Sequence, residues 1–392
     1  MNIISFRPLF FNTQWQKSIS PPYDVISKDE EVELKKFPFN ITHITLPVTN
    51  AIGSDLFNEW ISRGVLYRYP KELLIVIMQE FEYNGKKMKR FSVMAPVQTS
   101  PPDEDILTHE HTFGKYVGER KDLMKLTKCQ LEPIFLLSEK GDLLDKLKRY
   151  TESTHFQNSV EEPKGVMNYV YLVEDKERIS EILSSVSSSR AIVADGHHRL
   201  QATRELYEED QRNKDFWKFS LSYVEPADQD SLLILGIHRV ISSGHSLRDY
   251  MARIRDYFEV SEIDNANDAK TVVLYDGKYH SLRPKDKSYN EAGIDDIEAY
   301  EASNPLLIDR VLIRKILGID ESTILTDVYY TGDESEAKEL VDDGNSGFAV
   351  IMPQWDKKKL FALMDKGVQL PRKSTYFFPK IPSGLALYYD VT

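Results

Sequence analysis

The feature that most constrains the fold is a short, largely apolar run at 190–194 that passes through Asp-Gly directly into a stretch at 200–212. The run has the length and composition of a buried strand. Ala, Leu, Glu and Arg dominate the following stretch, which favours a helix. Gly196 permits the sharp change of direction between the two. A buried strand leading at once into a helix indicates an α/β fold, with residues 195–199 on the connecting turn.

The bulk composition indicates an ordinary globular protein. The chain has 392 residues, of which 41% are hydrophobic and 29% charged, and these values favour neither a fibrous nor a disordered class. This length suits two or three domains. We divide the chain into a core at 1–245 and a C-terminal α/β lobe at 246–392, with a soft boundary near Gly244, and we expect the end of the lobe to return to the functional site.

Charge and cysteine content exclude several function classes. A formal net charge of -12 disfavours nucleic-acid and membrane partners, which require a concentrated positive surface. Cys129 is the single cysteine, so no intramolecular disulfide and no cysteine-based zinc site can form. The first residues lack a signal-peptide pattern, and the longest clean apolar run, at 73–78, is too short to cross a bilayer. We expect a cytoplasmic protein.

Periodicity and turn residues predict further elements. A capping box at Ser27 opens a helix through Lys36, and Asn84-Gly85 joins two β-rich runs at 73–83 and 89–99 into a hairpin. Other predicted helices lie at 55–63, 119–129, 247–258 and 306–317, and other predicted strands lie at 133–138, 169–174, 217–224, 232–241 and 347–353.

The 195–199 turn has the chemistry of an anion site. Backbone N–H groups at the start of a helix point outward at the positive end of the helix dipole. His197, His198 and Arg199 add side-chain donors, while Asp195 either caps the helix or holds a cation. The alternative is that Asp195 is only a cap and that the histidines are solvated.

Three other segments are candidates. Glu110, flanked by His109 and His111, is a candidate general base, and a polar surface loop is the alternative. Pro21-Pro22-Tyr23-Asp24 forms a rigid turn that presents Tyr23 and Asp24 to a ligand or is purely structural. The segment at 373–380 supplies lysines, hydroxyls and aromatic rings suited to nucleotide contacts, with a terminal strand as the alternative. His238 lies in an apolar run, which favours a core histidine over a catalytic one.

Taken together, these motifs resemble those of the domain-of-unknown-function 1015 family. The matching segments are Phe6-Arg7-Pro8, Pro21 to Val25, His109-Glu110 with Thr112, the 195–199 turn, Ile237 to Val240, and Lys373 to Lys380. One departure is that Glu119-Arg120-Lys121-Asp122 stands where the family has an Asp-Arg pair, so neither acid is assigned a role. The Asp-Gly-His-His-Arg sequence also resembles the nucleotide-contacting turn of the ParB/sulfiredoxin-like fold, which free-serine kinases share. The resemblance implies a mixed-sheet ParB/sulfiredoxin-like core with the additional C-terminal α/β lobe.

The resemblance implies a nucleotide-dependent kinase that phosphorylates a small hydroxylated metabolite, with free L-serine as the named acceptor. Mg²⁺ and ATP or ADP are the expected cofactors, because phosphoryl transfer requires positioning and charge neutralisation. Glu110, Asp195 and His198 are the expected catalytic residues, and Asp195 is also the metal ligand. Gly196, His197, Arg199, Lys373, Ser374, Thr375 and Lys380 are expected to bind nucleotide, and Tyr23, Asp24 and His109 the acceptor. A nucleotide-binding switch or hydrolase and a metal-dependent hydrolase remain alternatives.

Overall fold

A computed structural model describes residues 1–101, 105–108, 114–139, 141–162, 165–266, 271–294, 304–368, 370–371 and 373–390. The chain divides into two compact units. Unit 1 comprises Met1–Thr108, the described residues from Gly114 to Leu232 and the terminal segment that begins at Pro379. Unit 2 comprises Leu233–Phe378. The predicted boundary near Gly244 therefore lies inside unit 2.

Unit 1 contains most of the candidate site residues. Its helices are α1 Trp15–Ser18, α2 Lys28–Leu34, α3 Thr42–Thr45, α4 Asn50–Ser62, α5 Gly114–Thr127, α6 Leu143–Ser153, α7 Lys176–Ser187, α8 His197–Glu209 and α9 Lys214–Trp217, with a 3-10 turn at Tyr23–Val25. Its strands are β1 Leu9–Phe11, β2 Leu66–Arg68, β3 Leu74–Tyr83, β4 Lys86–Gln98, β5 Ile106–Leu107, β6 Cys129–Gln130, β7 Ile134–Ser138, β8 Asn158–Glu162, β9 Val166–Val173, β10 Ala191–Asp195 and β11 Phe219–Pro226.

A mixed eight-stranded sheet organises unit 1, in the order β5-β10-β7-β11-β4-β3-β9-β8. The β5-β10 and β7-β11 pairs are parallel and the others are antiparallel. Alternate apolar residues of β3, β4, β7 and β10 form one core with α6 and α7. A second cluster joins α5, α8 and α9. Leu200, near the start of α8, belongs to the first core, so hydrophobic burial packs the start of α8 against the sheet.

Unit 2 is a second α/β body. Its elements are β12 Leu233–Gly236, β13 His238–Ser242, α10 Leu247–Tyr257, β14 Phe258–Ile263, β15 Val272–Tyr275, β16 Tyr279–Pro284, α11 Asp286–Glu291, α12 Asn304–Leu307 continuing as a π-helix at Ile308–Leu317, α13 Ile324–Asp327, β17 Val328–Thr331, α14 Glu334–Asp342, β18 Ser346–Ile351, α15 Lys357–Asp365 and β19 Thr375–Phe378. Six strands form an antiparallel sheet in the order β14-β16-β15-β18-β13-β17, and β12 pairs with β19.

The local signals in the sequence are largely confirmed. Ser27 and Glu30 form the predicted capping box, and Asn84 and Gly85 both adopt positive φ angles at the predicted hairpin turn. The β10–turn–α8 unit is present where the apolar run and the helix-favouring stretch predicted it. The mixed α/β fold class is confirmed. Within the described ranges, none of the helices combines the length and the apolar character needed to span a membrane.

Candidate functional site

The 195–199 turn depends on Gly196. Its φ angle is 90° and it is the N-cap of α8. A Cβ at this position would lie 3.1 Å from Cα of Ile134 and 3.1 Å from Nη2 of Arg199. The pairing of β10 with β7 shifts register between Val193 and Asp195, so a bulge redirects the strand just before the turn. The backbone conformation and the close approach of β7 both require glycine here.

Asp195 has both carboxylate oxygens engaged. Oδ1 accepts from the Gly196 N–H at 2.7 Å, and Oδ2 accepts from Nζ of Lys380 at 2.7 Å. Burial alone would raise the pKa of Asp195, but the charges of Lys380 and Arg199 outweigh it and hold the pKa well below its usual range. The side chain therefore stays ionised at neutral pH. The cation that it pairs with is the ammonium of Lys380.

His197 and His198 begin α8 and differ in exposure. His197 is buried, and burial lowers its pKa to about 4, although the Asp195 carboxylate opposes the shift. At neutral pH the His197 ring is therefore uncharged, so it can offer a phosphate at most an N–H donor. His198 is partly buried in the same first turn.

Arg199 is held in a group of opposite charges. Its Nη1 donates to the Pro133 carbonyl. Burial alone would lower the pKa of Arg199, but the carboxylates of Glu132 and Asp195 raise it. Oε1 of Glu132 accepts from the Tyr23 backbone N–H at 3.2 Å and from the Ser383 hydroxyl. The cation of Arg199 is therefore stabilised by acids on two sides.

Tyr23 belongs to this group as well. The guanidinium of Arg120 lies 4.3 Å from the centre of its ring, a cation–π contact. Burial raises the pKa of Tyr23 well above its ordinary range, although the Arg199 charge opposes the shift. Asp24, the next residue, is exposed. A small cavity of about 20 Å³ lies beside the group, lined by Arg120, Gln130, Glu132, Ile134, Arg199 and Thr203 with three apolar neighbours.

Helix α5 fixes the orientation of α8. Nζ of Lys121 lies 2.9 Å from a carboxylate oxygen of Glu205 and 2.8 Å from one of Glu209. On the other side, Nε of Arg204 donates to the Thr99 carbonyl at 3.1 Å. These contacts connect α8 to α5 on one side and to Thr99 on the other.

The structure groups some of the predicted site residues in unit 1 and assigns others to unit 2. Unit 1 groups Tyr23 and Asp24 with the 195–199 turn and Lys380. His109 and Glu110 lie outside the described residues, so their roles stay predictions. Unit 2 contains Lys373, Ser374 and Thr375, and there Lys373 is exposed, the Ser374 carbonyl accepts from the Trp355 indole at 2.9 Å and Thr375 pairs with Gly236. Their predicted nucleotide contacts also stay predictions.

His238 behaves as predicted. It is 7% exposed, and its Nδ1 accepts from the Met352 backbone N–H at 3.0 Å. Burial lowers its pKa to about 4. It is a satisfied core histidine of unit 2.

Sequence reasoning missed two members of the group. Glu132 precedes Pro133 and strand β7, and Arg120 follows the Glu119 to which no role was assigned. The available signal for Glu132 was an acid directly before a buried apolar strand, a position that places it beside the end of a neighbouring strand. Nothing in the local pattern indicated that Arg120 would cover Tyr23.

At the turn, the group that could hold a metal ion is the Asp195 carboxylate, which also pairs with Lys380. Asp195 supplies carboxylate oxygens, and Mg²⁺ is commonly held by one or two carboxylates together with substrate phosphates and water. Among the residues that the structure describes, no group of three or more His, Cys, Asp or Glu side chains is arranged to hold a metal. The turn would therefore hold Mg²⁺ only through Asp195 together with phosphate oxygens and water.

Comparison with solved structures finds several distant neighbours, of which three are described here. A conserved hypothetical protein from Pyrococcus furiosus is 12% identical with a TM-score of 0.39, covering 74% of this chain and 93% of that one. A free serine kinase in complex with AMP is 14% identical with a TM-score of 0.40, covering 74% and 92%. SbnI from Staphylococcus aureus with a C-terminal truncation is 11% identical with a TM-score of 0.37, covering 74% and 84%. TM-scores near 0.4 are too low to support inferences about this chain.

Sequence comparison gives a firmer result. No curated protein matches the chain. The profile of the family described as "Protein of unknown function (DUF1015)" matches residues 3–304. That range contains the 195–199 turn, the Pro21-Pro22-Tyr23-Asp24 turn and the Ile237–Val240 motif, so the match extends over both units. The chain belongs to the DUF1015 family.

Proposed function

We propose that this protein is a nucleotide-dependent phosphotransferase that uses Mg²⁺ and ATP or ADP to phosphorylate a small hydroxylated metabolite, with free L-serine as the first acceptor to test. The observation that carries the proposal is the Asp195–Lys380 pair at the N-terminus of α8. Phosphoryl transfer needs a cation, a metal-binding carboxylate and outward-facing N–H groups in one place. Asp195, Lys380 and the start of α8 supply these three elements.

Each group at the turn has a distinct role in this proposal. Phosphate oxygens would bind to the N–H groups at the start of α8, next to Gly196, whose own N–H donates to Asp195, and to the side-chain donors of His197, His198 and Arg199. Lys380 is shared between Asp195 and the transferring phosphate. Because Lys380 already neutralises part of the Asp195 charge, a second positive centre is needed for a polyphosphate. Asp195 is the residue that would hold Mg²⁺, which would supply that charge.

The residues proposed to bind the acceptor are assigned mainly from the motifs. Tyr23 and Asp24 lie in the group around Arg199 and would contact the acceptor together with His109. Glu110 would take the proton of the acceptor hydroxyl as a general base. Lys373, Ser374 and Thr375 would contact the nucleotide. These assignments come from the motif resemblance.

The test is a product assay. The protein is incubated with Mg²⁺, ATP or ADP, and a panel of L-serine, other amino acids and hydroxylated metabolites, and phosphorylated products are identified by mass spectrometry and ³¹P NMR. Asp195→Asn, which retains size but removes the metal-binding charge, is expected to lower turnover by at least about a hundredfold. Asp142→Asn is the matched control, since Asp142 also pairs with a lysine, Lys146, at 3.1 Å, but its side chain is 59% exposed.

The outcomes separate the alternatives. Nucleotide consumption without any phosphorylated acceptor would identify a hydrolase or switch instead of a kinase. Glu110→Gln is expected to lower turnover far more than nucleotide affinity, because a base contributes to rate and little to phosphate binding. Full activity of Asp195→Asn with normal Mg²⁺ dependence would exclude the proposed role of the turn.

A further inference from the structure

A fully buried polar network crosses the central sheet of unit 1. It includes Gln79 on β3, Arg90 on β4, Asn168 on β9, and Tyr223 and Glu225 on β11, each with an exposed fraction of 0%. Gln79 lies opposite Arg90 on one neighbouring strand and opposite Asn168 on the other. Burying an arginine costs several kcal/mol unless its charge and N–H groups are matched. Such a costly network is expected to hold another part of the molecule in place.

Within the network, the charge of Arg90 is matched from several sides. Its Nε lies 3.3 Å from a carboxylate oxygen of Glu225 and donates to Oε1 of Gln79 at 2.9 Å. The rings of Phe135 and Tyr223 lie 5.6 Å and 5.9 Å from its guanidinium carbon. The planar, five-donor guanidinium is suited to serving several acceptors at once. One of these acceptors lies outside the sheet.

That acceptor is the backbone of the terminal segment. Nη2 of Arg90 donates to the Pro379 carbonyl at 2.7 Å, and Nε2 of Gln79 donates to the Lys380 carbonyl at 3.3 Å. The two anchored carbonyls are consecutive and flank the Cα of Lys380. The side chain of that same residue reaches Asp195 at 2.7 Å.

We propose that Arg90 and Gln79 are positioning residues: they fix the backbone at Pro379–Lys380 so that the ammonium of Lys380 meets the Asp195 carboxylate. A lysine has four rotatable side-chain bonds and loses much rotamer freedom when it is held in one geometry. Anchoring the backbone on both sides of its Cα removes a large part of that cost before the ion pair forms. The proposal rests on the proposed function only where Lys380 is said to contact phosphate.

The decisive experiment measures the coupling between Lys380 and Asp195 in different backgrounds. The stabilities of Lys380→Met, Asp195→Asn and the double variant give that coupling by chemical denaturation. The cycle is repeated in Arg90→Lys and in Gln79→Glu. Gln79→Glu retains an oxygen for Arg90 and Tyr223 but replaces the amide that donates to the Lys380 carbonyl and, at 2.8 Å, to Oδ1 of Asn168. Tyr223→Phe is the matched control. The Tyr223 hydroxyl donates to Oε1 of Gln79 at 3.2 Å, and within the described residues the Tyr223 side chain makes no hydrogen bond to the terminal backbone.

The expected result is that the Lys380–Asp195 coupling falls by at least about half in Arg90→Lys and in Gln79→Glu and is unchanged in Tyr223→Phe. Unchanged coupling in both test backgrounds would overturn the proposal. An equal loss in all three would also overturn it, since the network would then be a general structural element. If Arg90→Lys fails to fold, Gln79→Glu decides the outcome alone.

A second readout uses Mg²⁺-ATP as the probe. Lys380→Met is expected to weaken its binding about tenfold in the unaltered protein and much less in Gln79→Glu, where Lys380 is already misplaced. Additive losses would contradict the positioning role. Failure of the unaltered protein to bind ATP would overturn the proposed function, while the stability cycle would still test the positioning of Lys380.

Discussion

Removing the ammonium of Lys380 by Lys380→Met should destabilise unit 1 measurably. The side chains of the Lys380–Asp195 pair are 13% and 23% exposed, so the pair lies between two known cases. Exposed pairs contribute about 0–1 kcal/mol, and breaking a fully buried pair costs about 3–5 kcal/mol. We therefore expect Lys380→Met to lower the free energy of unfolding by about 2 kcal/mol at pH 7. Urea unfolding at constant pH measures it, and Asp195→Asn in the same background isolates the pairwise part.

The pH dependence of this loss follows from the depressed pKa of Asp195. A carboxyl group with a lowered folded-state pKa contributes stability that is present above its unfolded pKa, about 3.9, and lost as the pH falls through the folded value. The effect of Lys380→Met should thus be constant from pH 7 to about pH 5 and shrink in stronger acid.

A matched control exists in the same unit. Lys71 pairs with Glu174 at 2.5 Å, but its side chain is 66% exposed, so Lys71→Met should cost less than about 1 kcal/mol. If the two lysine substitutions have equal effects, or if the Lys380–Asp195 coupling is indistinguishable from zero, the electrostatic account of the turn is refuted.

Three other predictions concern single groups. Burial lowers the pKa of His197 to about 4, so between pH 6.5 and 4 the unfolded chain binds a proton at this ring that the folded chain does not. The free energy of unfolding should therefore decrease by up to about 3 kcal/mol as the pH falls through this window. His197→Asn should flatten the dependence of that free energy on pH. A slope that His197→Asn leaves unchanged would assign the loss to other groups. Gly196→Ala combines a positive φ with contact to Ile134 and should destabilise by about 2–3 kcal/mol, whereas Gly64→Ala, with φ 70° and open space, should cost about 1 kcal/mol; equal costs would contradict the crowding at Gly196. Burial raises the pKa of the Cys129 thiol well above its usual range, so a thiol reagent at pH 8 should modify the protein in denaturant and leave the native protein intact.

The sequence predicted local units well because they depend on neighbouring residues. The hairpin through Gly85 and the β10–turn–α8 unit need only a turn residue between two periodic runs. The helix predicted at 55–63 begins earlier, at Asn50, because the Thr49 side chain caps it. Capping can move a helix start by several residues without any change in the apolar pattern.

The site itself was only partly predictable. Lys380 and Asp195 were both predicted members of the site, but the ion pair between them was not predicted, since the two are 185 positions apart and no local pattern encodes such a contact. Glu132 and Arg120 were missed for the same reason. The buried network of Arg90 was also unforeseen, because polar residues in β3 and β4 look like the solvent face of a strand until the terminal segment covers them.

The discontinuity of unit 1 has a consequence for how the protein is made. Residues 379–392 leave the ribosome after the whole of unit 2, yet they include Leu385 and Leu387, which are fully buried in unit 1. Unit 1 therefore cannot finish folding while it is being translated, and Asp195 has no ammonium from Lys380 until translation has passed that residue. Nascent chains stalled within unit 2 would carry the turn in an incomplete form, so any activity that depends on the pair would be withheld until residue 380 has been added.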